Sequence, residues 1–427
     1  MNIEKNFSEL LRRYPNLRKY IKLLYQFIFY NISKFNSSNS KGLLQEFIRK
    51  VTHEDEEYYF GYYDKSPWND KNNKILTLEV LCSDKHPVKT DKAQIGYINL
   101  KDNIFKKLTE TNTWNLQQGS MLQWLGPDFD DNIIYNALHD NDYCSIIYNL
   151  KTKEERIIDK PIYSVSKNGR FALSLNFSRL HRLRPGYGYS NLSDKTKGEK
   201  HPQNDGIYLV DLENNTSKLI ISLDQIVKIN HNSTMEDSEH RFNHLDISPD
   251  GKRFSFIHRW EHNNVTQSRF YTADVDGNNI YCLADEEMVS HSCWKNNEEI
   301  LVWARKNNKD RYYLFKDKTL EFKIIGEEKL TSDGHPSYSP DKRYILTDTY
   351  PDRTRHRTLI IYDTQENIRY DIARLFAPFK YHGEVRCDLH PRWSRDGKHV
   401  CFDSVHEGER QLYIIENVIE KLEETDK

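Results

Sequence analysis

The stretch HPRWSRDGKHVCFDSVHEG, residues 390–408, repeats a pattern that occurs several times earlier in the chain. It begins with a histidine, continues through Ser-x-Asp-Gly and ends in a run of alternating apolar residues. HLDISPDGKRFSFIHRW from His244 and HPSYSPDKRYILTDTY from His335 follow the same order. Residues such as Asp-Gly form hairpin turns, and alternation is typical of half-buried strands. The pattern therefore predicts a β-hairpin that recurs along the chain.

Seven such hairpins follow one another, and each continues with further apolar runs. Four short strands per unit, at a spacing of about 40 to 55 residues, are typical of a β-propeller. The sequence thus predicts an all-β fold, a seven-bladed β-propeller over residues 43–420, with an N-terminal helical extension and linker over residues 1–42. The last unit lacks a clear fourth strand. We expect the segment from Phe47 to His53 to supply it, because closure removes open sheet edges.

The N-terminal extension has apolar residues at helical spacing with Lys and Arg between them, which predicts one or two amphipathic helices. Its most apolar run contains Lys22 and is too short to span a bilayer. Two interpretations stay open: a helix packed against the propeller, or one that makes a peripheral membrane or protein contact.

Composition restricts the location and the partners of the protein. The formal net charge of -2 gives no reason to expect nucleic acid as a partner. The six cysteines form no CxxC pair, and no secretion signal is recognised at the start of the sequence. We therefore expect a cytoplasmic protein, or one held at a membrane surface through its N-terminal helices.

One position of the repeat predicts a metal site. The first strand of each propeller blade lines the central channel, so equivalent residues of successive blades form a ring. That ring position holds Lys65, Met121, Ile162, His244, His291, His335 and His390. Neutral imidazoles bind zinc, manganese and related divalent metal ions. The predicted ligands are His244, His291, His335 and His390, with Cys293 as a further one; alternatively, the imidazoles only bond the backbone at the strand starts.

The loops that join second to third strands lie at the same end of the channel as this ring. They are rich in arginine and aromatic residues, and the candidate substrate-binding residues among them are Arg179, Arg184, Arg259, Trp260, Tyr350 and Arg353. Arginine binds carboxylate or sulfate, and aromatic faces carry sugar rings. The composition favours an anionic oligosaccharide or polysaccharide as the ligand; the alternative is a set of merely solvated loops.

Together with HEG at His406, the repeated His-x-x-(aromatic)-Ser-x-Asp-Gly units resemble the oligogalacturonate lyases over residues 240 to 410. The stretches GYYDKSPWN, QQGSMLQWL and SLNFSRLHRLRPGYGY are similar to the propeller ulvan lyases. These families cut uronate-containing chains by β-elimination, so the resemblance implies a metal-containing polysaccharide lyase. One departure is Gln118, which stands near the place of a second catalytic histidine and cannot act as a base.

The resemblance assigns the chemistry to His139 or His406, Tyr187 or Tyr189, and Arg182 or Arg184. An imidazole that gives its lone pair to a metal cannot also take a proton, so we expect the base to lie outside the metal ligands. His139 is the first choice as base, with Tyr189 as the assisting acid and Arg182 on the carboxylate. The long loop of the third blade must then fold over the channel mouth.

Two other functions stay open at this point. One is a non-catalytic or differently catalytic carbohydrate-binding propeller, for instance in surface-polysaccharide biosynthesis. The other is a propeller that only binds proteins, because one fold hosts many unrelated functions.

Overall fold

Seven four-stranded antiparallel sheets follow one another in a computed structural model of the chain, which describes residues 15–35, 41–53 and 56–425. Six of the sheets are built from consecutive strands, and the seventh combines the last three strands with the first. This arrangement confirms the predicted seven-bladed propeller. The strands are numbered β1 to β28 in chain order, beginning with β1 at Arg49–Lys50.

Blades 1 to 4 contain sixteen strands in order of sequence. Blade 1 has β2 Glu57–Tyr59, β3 Lys74–Val80, β4 Ala93–Asn99 and β5 Ile104–Thr111. Blade 2 has β6 Gln123–Trp124, β7 Asn132–His139, β8 Asp142–Asn149 and β9 Glu155–Ile158. Blade 3 has β10 Ser164–Val165, β11 Phe171–Ser174, β12 Gly206–Asp211 and β13 Thr216–Ser222. Blade 4 has β14 His240–Ile247, β15 Arg253–His262, β16 Val265–Asp274 and β17 Tyr281–Ala284.

Blades 5 to 7 complete the circle. Blade 5 has β18 Val289–Trp294, β19 Glu299–Lys306, β20 Lys309–Lys316 and β21 Phe322–Ile325. Blade 6 has β22 Ser337–Tyr338, β23 Tyr344–Asp348, β24 His356–Asp363 and β25 Ile368–Phe376. Blade 7 has β26 Arg392–Trp393, β27 Val400–Ser404 and β28 Gln411–Ile415, and β1 is its fourth strand.

The propeller is closed by the N-terminal strand, as predicted. Arg49 pairs with Ile414 and Lys50 with Tyr413 in antiparallel register. The Val51 amide extends the pairing by donating to the Leu412 carbonyl at 3.1 Å. First and last blades are thereby joined, and the edge that β28 would otherwise expose is covered.

The Ser-x-Asp-Gly motif makes the turn between the first and second strand of a blade. In blade 4 the Ser248 hydroxyl accepts from the Arg253 amide at 3.0 Å, and the Asp250 carboxylate accepts from the Lys252 amide at 3.2 Å. Gly251 has φ +73°, which costs glycine little. In blade 6 Lys342 stands at the position of this glycine, with φ 65°. The hydrogen bonds of the serine and aspartate side chains therefore hold the turn even without glycine.

In the described part of the chain, four α-helices accompany the strands: α1 Pro15–Phe35, α2 Phe177–Leu183, α3 Leu223–Lys228 and α4 Val418–Thr425. Helix α1 confirms the predicted N-terminal helical extension, and the part of that extension before Pro15 lies outside the described residues. The predicted domain boundary after residue 42 falls between α1 and β1. Among the described residues, no helix is long and apolar enough to cross a membrane.

The hydrophobic core lies between neighbouring blades. One buried cluster joins Leu346 and Leu359 of blade 6 to Val400 and Phe402 of blade 7. Helix α4 adds Leu422 to the same cluster, so the end of the described chain seals blades 6 and 7. Packing of this kind fixes the positions of the strands that line the channel.

Candidate active site

Four histidines from consecutive blades meet at one end of the channel. Ring centroids of His244 and His291 lie 5.5 Å apart, those of His291 and His335 lie 4.3 Å apart, and those of His335 and His390 lie 4.4 Å apart. All four side chains are buried. The backbone of His244 has φ 53° and that of His390 has φ 42°, a strained region for residues other than glycine. The predicted clustering of these histidines is therefore present.

Two tyrosines of blade 1 fill the space between these histidines. The ring of Tyr62 lies between 4.9 and 6.5 Å from the four imidazole centroids. Its hydroxyl is 3.4 Å from each ring nitrogen of His244. The Tyr63 hydroxyl crosses the channel, donates to the Ser292 carbonyl at 2.9 Å and accepts from the Ser292 amide at 3.1 Å.

The comparison of the repeats missed these tyrosines because it placed Lys65, three residues after Tyr62, at the ring position. The Lys65 ammonium instead pairs with Asp64 at 2.8 Å and lies over the ring of Tyr163. The available signal was the pair of aromatic residues in GYYDKSPWN, which precedes the turn of blade 1.

Carboxylates orient two of the imidazoles. The Asp348 carboxylate lies 2.7 Å from Nδ1 of His335, and the Asp333 carboxylate lies 3.0 Å from Nδ1 of His291. Among the described residues, Nε2 of His335 and Nε2 of His390 are buried and have no hydrogen-bond partner. An imidazole held by a carboxylate at one nitrogen and free at the other is the arrangement found at metal ligands.

His335, Asp388 and His390 each offer one ligand atom, and these atoms lie within 4.8 Å of one another. Burial raises the pKa of Asp388, but Arg386 and Arg357 outweigh it and hold that pKa far below the usual range. Arg386 Nε donates to Asp388 at 2.6 Å, and Arg357 Nη2 donates at 3.1 Å. Two imidazole nitrogens and an anionic carboxylate form a donor set that fits a divalent metal ion.

Cys293, the fifth predicted ligand, is not part of this group in the described structure. Its side chain packs instead with the apolar cluster between blades 5 and 6 that contains Tyr312 and Tyr338. Burial raises the pKa of the Cys293 thiol, and Asp246 raises it further. The thiolate that would bind a metal is therefore disfavoured at this position.

Histidine protonation differs across the cluster. Burial lowers the pKa of His244 well below its usual range, and the nearby Arg259 guanidinium lowers it further. Burial also lowers the pKa of His390, and His335 adds to that effect. For His335, burial lowers the pKa, but the Asp348 carboxylate outweighs it, and the pKa is raised. His244 and His390 are thus neutral bases.

Arginines surround the cluster with unsatisfied donors. Nη1 of Arg241, Nε of Arg259, and Nε and Nη1 of Arg357 are buried without a hydrogen-bond partner among the described residues. A buried donor without a partner costs about 1–3 kcal/mol, more when it is charged. An anionic ligand at the channel mouth would satisfy these donors.

The long loop of blade 3, residues 175–205, crosses the channel mouth as predicted. The Arg184 guanidinium pairs with Glu384, and Arg386 Nη2 donates to the Tyr187 hydroxyl at 3.1 Å. Gly186 has φ +93°, and a Cβ there would come within 2.8 Å of the Glu384 carboxylate. The positive φ favours glycine at position 186, whereas the Glu384 side chain could move to make room for a Cβ.

Of the predicted catalytic residues, Tyr187 lies next to the histidines, with its ring centroid 6.2 Å from that of Tyr62. His139 lies at the exposed end of β7, beside the Asp140 carboxylate at 3.3 Å. His406 bonds the Ser404 hydroxyl at 2.8 Å and packs on Tyr413.

The other two predicted catalytic side chains have partners of their own. The Tyr189 hydroxyl accepts from Asn136 at 3.0 Å, and its ring stacks on Phe177. Arg182 donates to Asp194 at 2.9 Å and to both carboxylate oxygens of Glu239, at 2.7 and 2.6 Å. Their catalytic roles stay predictions, but the contacts hold both groups within the blade 3 loop and its neighbours.

The predicted substrate-binding residues divide into two sets. Three of them lie at the channel mouth: Tyr350, Arg259 and Arg184. The ring centroid of Tyr350 is 5.8 Å from that of His335. The remaining three make structural contacts: Arg179 donates to the His240 carbonyl at 2.6 Å, the Trp260 indole donates to Thr234 at 3.1 Å, and Arg353 lies over Phe29 of α1.

No protein-family model matches this sequence, and no curated protein matches it significantly. Solved structures do. One is an oligogalacturonate lyase in complex with manganese, with a TM-score of 0.63 and 16% identity over 88% of this chain and 94% of that chain. Another is the oligogalacturonate lyase of Vibrio parahaemolyticus, with a TM-score of 0.61 and 14% identity over 86% and 93%.

The chain has the fold of the oligogalacturonate lyases. The high coverage of both proteins means that all seven blades, rather than a few repeats, are shared with them. At this identity the oligogalacturonate lyases define the architecture of the chain, and its chemistry must be argued from its own residues.

Proposed function

We propose that this protein is a carbon–oxygen lyase that cleaves a uronate-containing oligosaccharide by β-elimination. The observation that carries the proposal is the meeting, at one channel mouth, of a metal-binding group, a neutral imidazole and buried arginine donors. The shared fold supports it, since both similar structures are oligogalacturonate lyases and one is a manganese complex.

His335 and His390 would hold a divalent ion through their free Nε2 atoms, together with the Asp388 carboxylate. Mixed imidazole and carboxylate ligands suit manganese as well as zinc, so the donor set does not select one of the two. When bound, the metal supplies Lewis-acid neutralisation of a substrate carboxylate. The Asp348 carboxylate, which accepts a hydrogen bond from Nδ1 of His335, would keep the His335 ring in its metal-binding orientation.

Arg241 and Arg259 would bind the uronate carboxylate. Both have buried N–H groups without a hydrogen-bond partner among the described residues, and the Arg259 guanidinium is close enough to His244 to lower its pKa, so a carboxylate held by Arg259 would bring the neighbouring carbon towards that imidazole. Removal of the proton α to a carboxylate builds negative charge on its oxygens in the transition state. Fixed guanidinium donors stabilise that charge without further reorganisation.

His244 is the base that the geometry favours over His139. It lies outside the metal-binding group, it is neutral, and Tyr62 is its hydrogen-bonding neighbour at 3.4 Å. His244 would take the proton from C5, the electron pair would form the C4–C5 double bond, and the C4–O bond would break. The leaving oxygen would take the proton of the Tyr62 hydroxyl. Burial and the neighbouring Tyr187 raise the pKa of Tyr62, so this hydroxyl is protonated at neutral pH.

The proposal is tested by incubating the metal-loaded protein with a panel of uronate oligosaccharides and following the ultraviolet absorbance of an unsaturated uronate. We expect His244→Ala to lower turnover by about a hundredfold or more. His139→Ala, the matched histidine control at the exposed end of β7, should keep its activity. If His139→Ala lost activity and His244→Ala kept it, the assignment of the base would be wrong.

Carbohydrate binding without cleavage is the second candidate function. Tyr62 and Tyr63 fill the space among the histidines, and Tyr187 and Arg386 cover them, so a sugar must displace side chains to reach His244. Saturable binding of the same oligosaccharides, measured by calorimetry, with no unsaturated product at any metal loading would establish this function and exclude the lyase.

A further inference from the structure

Helix α1 presents a continuous apolar face to solvent. The residues of this apolar stripe are between 48% and 69% exposed, and they are Tyr20, Leu24, Phe27, Ile28 and Ile32. Their spacing of 4, 7, 8 and 12 residues places them on one side of the helix. Single exposed apolar residues are ordinary on protein surfaces, whereas a continuous apolar face marks an interaction site.

The opposite side of α1 is docked on blade 6, which fixes the direction in which the apolar stripe points. Gln26 is 3% exposed and donates to the Asp352 carbonyl at 3.2 Å. The ring of Tyr30 stacks on Phe376 at 4.7 Å. Phe27, at the edge of the stripe, contacts Phe379 at 5.8 Å between ring centroids, and the rest of the stripe faces away from the propeller.

The charge of the helix indicates what covers the stripe. Pro15–Phe35 contains four basic residues and no acidic one, in a chain of net charge -2. Protein interfaces are depleted of lysine, whereas basic residues beside an apolar face bind anionic lipid headgroups. An anionic bilayer surface is thus the occupant that the charge favours over a protein partner.

A loop with exposed apolar and basic residues lies at the same end of the propeller as α1. In the loop between β3 and β4, Leu81 is 87% exposed and Val88 is 60% exposed, and Lys85 and Lys89 are exposed beside them. Loops between second and third strands share one end of a propeller, and α1 docks on the corresponding loop of blade 6 through Asp352. That end also carries the mouth of the channel.

We propose that the apolar stripe of α1, assisted by Leu81 and Val88, docks this protein on an anionic membrane surface. The apolar side chains enter the boundary between headgroups and acyl chains, and the net positive charge of the segment attracts it to the anionic surface. The helix lies on the bilayer and does not span it. The channel mouth consequently opens at the membrane end of the molecule.

Flotation of the full chain with phosphatidylcholine vesicles, with and without phosphatidylglycerol, tests this proposal. We expect binding only to the anionic vesicles, weakened by salt, and at least a tenfold lower partition coefficient for the double variant Leu24→Gln, Ile28→Gln. Leu320→Gln is the matched control, since Leu320 is 86% exposed in the turn between β20 and β21 at the other end of the blades. Its binding should equal that of the wild type.

Three results would overturn the proposal: no binding to anionic vesicles, equal binding to neutral vesicles, or unchanged binding of the double variant. Light scattering without lipid adds a fourth, because a dimer that the double variant abolishes would show that a second copy covers the stripe. Thermal melting checks that all variants fold, which exposed substitutions leave nearly unchanged. None of these readouts depends on catalysis, so the result is separate from that for the lyase.

Discussion

The ring position at the start of each channel-lining strand has different side chains in the two halves of the channel. In blades 4 to 7 that position holds histidines, whereas in blades 2 and 3 it holds Met121 and Ile162, both fully buried in an apolar cluster. Met121 has φ 55°, and His244 and His390 have φ 53° and 42°, so the left-handed backbone occurs in both halves, although Ile162, His291 and His335 do not adopt it. The left-handed backbone therefore does not select histidine, and the side chain decides between packing and chemistry.

The comparison also shows what each half requires of its surroundings. The apolar half needs only close packing, which Tyr163 and Leu173 supply beside Met121 and Ile162. In the histidine half, buried imidazoles are accompanied by Asp333, Asp348 and Asp388. Buried polar groups without such partners would cost several kcal/mol. Substitutions on the two sides should accordingly damage different properties.

The largest expected effect is on metal binding in the histidine half. His335→Ala removes a central ligand, so we expect bound metal to fall from about one per chain to background, with loss of any lyase activity. Elemental analysis of purified protein measures this directly. His139→Ala should retain the metal, and a chelator should lower the melting temperature of the wild type but not of His335→Ala. Equal metal content in wild type and His335→Ala would contradict the proposed site.

In the apolar half the expected loss is in stability. Met121→Ala leaves a cavity and should lower the free energy of unfolding by about 2–5 kcal/mol, as measured by urea denaturation. Metal content should stay at the wild-type level. If Met121→Ala released the metal without destabilising the fold, the two halves would not be separable as described.

A smaller effect is expected one step from the metal ligands. Asp348→Asn keeps the shape of the group that orients His335 and removes its charge, so metal affinity should fall by about 10- to 100-fold. Titration against a competing chelator measures the affinity. Asp363→Asn, in another buried aspartate of blade 6 that pairs with Arg343, is the control and should leave metal affinity unchanged. Equal affinities for the two variants would remove Asp348 from the site.

The last expected effect concerns a histidine pair outside the site. His240 Nε2 donates to the Met235 carbonyl, so its Nδ1 accepts from His258 Nε2 at 2.8 Å, and both rings are neutral. Burial lowers the pKa of His240 from 6.5 to about 4. Because the unfolded chain binds the proton more readily, stability should fall as pH drops from 6.5 towards 4, by about 1.4 kcal/mol per pH unit per proton.

Urea denaturation across this pH range, with and without His258→Gln, measures the contribution of the pair. Glutamine can still donate to His240 but does not titrate, so the slope of stability against pH should decrease. His139→Gln, at an exposed histidine, should leave the slope unchanged. An equal slope for wild type and His258→Gln would show that the pair does not control acid sensitivity.

The repeated turn motif was enough to predict seven blades, closure by the segment around Arg49, and the meeting of four histidines. These features follow from local chemistry, since the serine hydroxyl of the motif accepts the same backbone hydrogen bond in the hairpins of blades 3, 4, 6 and 7, and equivalent positions of a closed ring must converge. The apolar pattern of α1 was readable for the same reason, as periodicity is a local property.

Tertiary structure decided which of these residues face one another. Asp388 precedes β26 of blade 7, whereas Asp348 ends β23 of blade 6. Tyr62 crosses from blade 1, and Arg182 is held by Glu239, which is 57 residues away in the chain but adjacent in space. Partners of this kind are set by the twist and packing of whole blades. The sequence determined the chemistry that each side chain can perform. Only the packing of distant strands decided which partner it has, because electrostatic and hydrogen-bond energies act over a few ångströms of space and not along the chain.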